Sequence, residues 1–142
     1  MENLNSNYIE TFVNLQGLLS QQVNTQCNDD FLSFVRLMAP SIVSDFRMGR
    51  HIEVISEKLQ KVENGEIKRL MVFLPPRSSK SVVCSKLFPA WYIGRNPEHE
   101  LLTISHSDQL ASDFGRSVRD IVNTEEFSKV FRGVALRSDV RA

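Results

Sequence analysis

Apolar residues return along most of the chain at the spacing of helical turns. Tyr8, Phe12, Leu15, Leu19 and Val23 follow one another at four, three, four and four, which predicts an amphipathic helix over residues 4–23. The polar run Asn24-Thr25-Gln26-Cys27-Asn28 has no period and reads as a linker. Phe31, Phe34, Val35 and Met38 then share one face of a short helix, which Asn28 or Asp29 can cap and which Pro40 should stop. After a break at Arg47-Met48-Gly49, Ile52, Ile55, Leu59 and Val62 make a third stripe, closed by Asn64-Gly65 as a left-handed C-terminal cap.

Two stretches break that period. Leu70-Met71-Val72-Phe73-Leu74 and Leu101-Leu102-Thr103-Ile104-Ser105 are apolar runs of strand length. Pro75 and Pro76 cannot donate to a ladder, so the first run ends at about Leu74. From Ser81 onward Val82, Val83, Leu87 and Phe88 recur at helical spacing, and Pro89 should kink or restart that helix. A last helix carries Leu110, Ala111, Phe114, Val118, Ile121 and Val122, with capping-box spacing at Ser105-His106-Ser107-Asp108. Strand, loop, helix, strand, helix predicts an α/β fold: a parallel sheet with right-handed crossovers and flanking helices, preceded by an α-helical N-terminal segment. In such a fold residues 1–28 are the N-terminal helix and linker, and residues 29–142 the domain proper.

Composition changes this picture little. With 42% hydrophobic and 24% charged residues over 142 positions, the chain is an ordinary globular one, and its formal net charge of zero gives no global sign of a polyanionic partner. The charge is uneven, however: residues 1–66 carry −4 and residues 67–142 carry +4. Cys27 and Cys84 match no metal or redox spacing and read as free thiols in a reducing compartment. Neither a signal peptide nor an apolar run of membrane length is present in the sequence, and the expected location is the cytoplasm.

The chemistry concentrates where the basic half begins. The polar turn Pro75-Pro76-Arg77-Ser78-Ser79-Lys80-Ser81, between a predicted strand and a predicted helix, is the layout of a phosphate-binding loop. Successive backbone amides from Arg77 to Ser81 at a helix N-terminus are a ready anion site. Lys80 can set an ammonium beside the β and γ phosphates of a nucleotide, Ser81 can ligate the bridging Mg²⁺, and Arg77 offers a planar fork to a phosphate. The pattern G-x-x-x-x-G-K-[ST] fails at both glycine positions, where Leu74 and Ser79 stand. The plain alternative is a basic surface turn.

Taken together, Leu70 to Ser81, Phe88-Pro89-Ala90-Trp91, Gly94-Arg95-Asn96-Pro97, Ile104-Ser105-His106-Ser107 and Phe114-Gly115-Arg116-Ser117-Val118-Arg119 resemble the N-terminal ATPase region of the large terminase subunits of tailed phages. The resemblance covers roughly residues 30–132. It implies a P-loop NTPase-like, RecA/ASCE-type sheet, incomplete here, in a motor that packages viral DNA into capsids. It also implies ATP and Mg²⁺ as cofactors, with double-stranded DNA, a terminase small subunit and a portal as partners, and an oligomeric motor. In that family Pro-Pro-Arg commonly replaces the first glycine. The resemblance makes Arg77 and Lys80 the catalytic cations, Ser81 the Mg²⁺ ligand, and the loop Arg77, Ser78, Ser79, Lys80, Ser81 and Val82 the nucleotide cradle. His51 falls where the family has a histidine near the nucleotide. Arg116 and Arg119, at i and i+3, could meet DNA, a phosphate or a neighbouring subunit, and equally read as a solvated face. Trp91 reads as core.

Two departures shape the expectation. Ser79 stands where a glycine would take left-handed dihedrals freely, at a cost of about 1–2 kcal/mol to a serine. Hydrolysis also needs an acidic strand, and none of Asp108, Asp113, Asp120, Glu125, Glu126 and Asp139 follows a continuous apolar run. The chain therefore reads as the front part of a longer terminase-like protein that binds nucleotide without efficient turnover. The competing reading is a non-catalytic remnant or interaction module that binds a terminase partner or nucleic acid. A different P-loop motor, such as a helicase, ranks behind both.

Overall fold

A computed structural model describes residues 2–136, with side chains from residue 10 onward. Tyr8 of the N-terminal stripe and Asp139 of the acidic residues lie outside the described side chains. The first helix, α1 (Glu2–Asp29), is 28 residues long, about 42 Å at 1.5 Å per residue. Residues 24–28, expected as a linker, are its last turns. Their carbonyls explain why: the Trp91 indole N–H donates to Cys27 O at 3.0 Å and the Arg95 guanidinium to Asn28 O at 2.8 Å. Carbonyls at a helix C-terminus have no intrahelical donor, and two distant side chains supply it.

Asp30, one residue beyond the expected caps, begins α2 (Phe31–Ile42) by accepting from Ser33 N–H at 2.7 Å. Pro40 does not stop this helix but lies exposed in its last turn, where Val43 N–H still donates to Ala39 O at 3.0 Å. The third stripe becomes α3 (Arg50–Glu63), and Gly65 ends it with φ 77° while its N–H donates to Val62 O at 3.0 Å. Only glycine takes that dihedral without cost.

The expected α/β fold is not the one adopted. No strand and no sheet occur among the described residues, and every regular element is helical. The run at residues 70–74 does alternate as a strand would: Leu70, Val72 and Leu74 turn to the core, while Met71 and Phe73 are 81% and 84% exposed. Residues 101–105 leave Leu102 and Ile104 83% and 82% exposed. A strand is defined by its ladder, and no backbone bond joins either run to another segment among the described residues. The apolar pattern predicted the local geometry; the pairing it also implied is absent.

Residues 80–95 form one continuous helix in three parts: α4 (Lys80–Val82), a π-helical turn (Val83–Leu87) and α5 (Phe88–Arg95). Pro89 stands in the first turn of α5, where α-helical winding resumes after the π-helical turn. Phe88 N–H reaches back five residues to Val83 O, and this widened turn accommodates a proline that could not bond Ser85 O. The remaining helices are α6 (Asp108–Val122) and α7 (Glu125–Val130). Ser107 rather than Ser105 caps α6, accepting from Leu110 N–H at 3.3 Å, and Thr124 caps α7, accepting from Phe127 N–H at 3.2 Å.

One core joins these helices. Phe31, Phe34, Val35 and Met38 of α2 meet Ile52, Ile55 and Leu59 of α3, Val83, Leu87 and Trp91 of the central helix, and Phe127 and Val130 of α7 with Phe131 beyond it. Trp91 is fully buried, as expected of a core residue, with its ring centroid 5.2 Å from that of Phe31. Burying the far end of the central helix in this way fixes its near end, where the loop enters.

Candidate functional site: a basic cradle at the start of the central helix

The loop takes its shape from two left-handed backbone conformations and one side-chain hydrogen bond. Arg77 has φ 62° and Ser79 φ 58°, and they are the only non-glycine residues in the left-handed region among the described residues. Ser79, at ψ 12°, is the N-cap of α4, and its carbonyl accepts from Val83 N–H at 3.1 Å. A left-handed residue followed by a right-handed one turns successive amides toward a common centre, the geometry of an anion-binding nest. The amides of Lys80, Ser81 and Val82 belong to the first helical turn, where no intrahelical acceptor reaches them. Ser78 Oγ donates to Pro75 O at 2.8 Å and closes the turn.

The result is a concavity of about 350 Å³ walled by the consecutive residues 74–82. Every loop residue expected at a phosphate site is therefore brought together: Arg77, Ser78, Ser79, Lys80, Ser81 and Val82 share this wall. Arg77 and Ser81 are exposed and Lys80 is half-buried. Neither Arg77 nor Lys80 has an ion-pair partner among the described residues, so the cradle carries two uncompensated cations. Its charge and donors suit a phosphate group.

Lys80 and Ser81 also wall a second cavity of about 400 Å³, shared with Leu59 and Val62 of α3, Leu70, Val72 and Cys84. Burial pushes the Cys84 thiol above its ordinary range, and the neighbouring Lys80 ammonium partly opposes this. Cys84, half-buried one turn after Lys80, is the residue here that sequence reasoning assigned only to packing.

His51 is not part of this arrangement. It is exposed in the first turn of α3, its ring folded within 2.9 Å of where a Cβ on Gly49 would stand. Leu59, the first α3 residue to reach the Lys80 cavity, lies about 12 Å further along the helix. Arg116 pairs with Asp113 at 3.1 Å on the exposed face of α6, which is the solvated reading of that residue.

For Mg²⁺ the loop's side chains supply serine hydroxyls alone, that of Ser81 with those of Ser78 and Ser79 on the same wall. Among the described residues there is no group of three or more His, Cys, Asp or Glu side chains placed to hold a metal ion. The donors fit a phosphate; a magnesium ion here would depend on phosphate oxygens and water for most of its octahedron.

Sequence reasoning missed one polar cluster entirely. Arg95 entered the sequence reading only within the motif Gly94-Arg95-Asn96-Pro97, yet its Nε donates to Glu63 Oε1 at 3.0 Å, its Nη1 reaches Asn28 O and Asp29, and its guanidinium lies 5.1 Å from the Trp91 ring centroid. It ties α1, α3 and α5 together at the end of the central helix away from the cradle. No local motif announces such a residue, because its partners are 32 and 67 positions away. Among the described residues no helix is long and apolar enough to cross a membrane. Set beside known protein families, curated proteins and solved structures, the chain finds no match in any of the three.

Proposed function

We propose that the loop from Leu74 to Val82 binds the phosphates of a nucleotide, and that the chain is a nucleotide-binding part of a terminase-like DNA-packaging protein. The observation that carries the first half is the pair of left-handed residues, Arg77 and Ser79, immediately before Lys80. Strained backbone at non-glycine positions costs on the order of 1–3 kcal/mol each and persists where the surroundings impose it. Here it turns the amides and two unpaired cations onto one concavity of about 350 Å³. The second half rests on the motif resemblance alone; ATP as the nucleotide, DNA, a small subunit and a portal as partners, and action in the cytoplasm of a host cell belong to that reading.

In this role Lys80 and Arg77 hold and neutralise phosphate oxygens, the first-turn amides orient them, and Ser81 offers its hydroxyl to the accompanying metal. No acidic group stands in the cradle, so binding is expected without efficient hydrolysis. Calorimetric titration with Mg²⁺-ATP tests this. Saturable binding, abolished by Lys80→Ala in a chain with unchanged helicity, is the expected result. A folded wild-type chain that takes up neither ATP nor tripolyphosphate would overturn it.

The second reading, an interaction module, is favoured by a separate observation. Met71, Phe73, Leu102 and Ile104 are each more than four-fifths exposed, and large apolar side chains left this open are available to a partner.

A further inference from the structure

The described side chains of α1 carry a face that nothing covers. Phe12, Leu15, Leu19 and Val23 are between 47% and 61% exposed and lie within about 80° of one another around the helix at 100° per residue. The body of the protein holds α1 by its last turn, through Cys27, Asn28 and Asp29, and the stripe N-terminal to that anchor is left open. Between residues 10 and 28 the helix has a single charged side chain, Glu10. It also has a glycine, Gly17, with nothing within 4 Å of its Cβ position. Glycine inside a helix costs about 1 kcal/mol, and helices of this composition are marginal in water unless a face is packed.

From these observations we infer that α1 is a self-association helix whose occupant is the same stripe on a second copy of the chain. Three features select that occupant. The stripe is self-complementary: aliphatic and aromatic residues three and four apart interdigitate with an identical row under a two-fold axis. It is also nearly uncharged, so two copies approach without like-charge repulsion, and no excess of either sign calls for a charged partner. The area suffices, because the exposed parts of these residues with the flanking Gln16, Gln22 and Gln26 bring a symmetric pair to roughly 1,000 Å² of buried surface, the lower end of specific interfaces. Phe12 to Val23 is an eleven-residue, three-turn spacing, which favours slightly right-handed rather than left-handed supercoiled packing. The inference does not depend on nucleotide binding.

Sedimentation equilibrium of the full chain from about 1 to 100 μM tests it, the range expected for an interface of this size. The expected result is a reversible shift from 16.2 kDa to twice that mass, with helicity at 222 nm rising in parallel. Leu15→Asp with Leu19→Asp should abolish the shift, while the fluorescence of buried Trp91 reports an intact body. Phe73→Asp should leave the shift in place. A wild-type chain that stays monomeric throughout, a double variant that still dimerises, or dimerisation lost with Phe73→Asp would each overturn it, the last by assigning the contact to residues 70–74.

Discussion

At the scale of single residues, Ser79 carries the largest tension between stability and site. It holds φ 58° at the start of a helix, a conformation that costs a residue with a Cβ about 1–2 kcal/mol. Glycine would remove that cost but give the unfolded chain more freedom, worth about 0.4–1 kcal/mol in the other direction. Ser79→Gly is therefore expected to raise stability by about 1 kcal/mol or less and to tighten nucleotide binding up to about tenfold, because the hydroxymethyl group leaves the cradle. Thermal melts and ATP titration of the two forms check both signs. Weaker binding by the glycine form would mean that the serine hydroxyl contacts the ligand. The need for left-handed backbone before Lys80 was legible in the sequence, since the resemblance placed a glycine there. Arg77 was not: nothing in Pro-Pro-Arg announces its φ of 62°.

At the scale of elements, the helices were legible because their signal is local. The stripes of α2, α3 and α6 are built from residues three and four apart, and the cap at Gly65 is read from two adjacent letters. The two apolar runs misled for the complementary reason. Five residues specify an extended chain with alternating faces, and Leu70, Val72 and Leu74 obey it, but a sheet also needs a neighbour that no short window contains. The same non-locality hid Arg95, which supplies the last turn of α1 with a donor and meets a Glu63 side chain only 8% exposed. Arg95→Ala is expected to lower stability by about 2–4 kcal/mol, since it leaves a largely buried carboxylate with only the long Asn96 amide contact and removes the donor to a helix-end carbonyl. Urea unfolding followed by Trp91 fluorescence measures it. Arg95→Lys should recover less than half, because an ammonium cannot bridge three partners with planar geometry.

At the scale of the whole molecule, the two thiols make stability depend on pH. Burial pushes Cys27 up, with Asp30 adding to it, and burial pushes Cys84 up against Lys80. A folded-state pKa above the unfolded one means that the unfolded chain loses protons first as pH rises. The contribution is complete below the ordinary thiol value of about 8.5 and is lost as pH climbs from there through the folded values. Stability measured in urea is expected to decline above about pH 8.5, and Cys27→Ala with Cys84→Ala should flatten that decline. An unchanged slope would show that other groups cause it. Charge behaves differently at this scale: the −4 and +4 halves of the sequence end in one packed body, so the basic half marks the cradle's end of the chain rather than a separate domain.

The π-helical turn has a further consequence for the cradle. Lys80 and Trp91 are 11 positions apart, which in an unbroken α-helix puts them within about 20° of the same direction. The widened turn holds one residue more than α-helical winding would, so the phase between them slips by about 100°. Trp91 keeps its place in the core while Lys80 is rotated out of that line and toward the concavity. Pro89, through the turn that accommodates it, thus acts as a phase setter: the chain indexes its ammonium by miscounting one helical step.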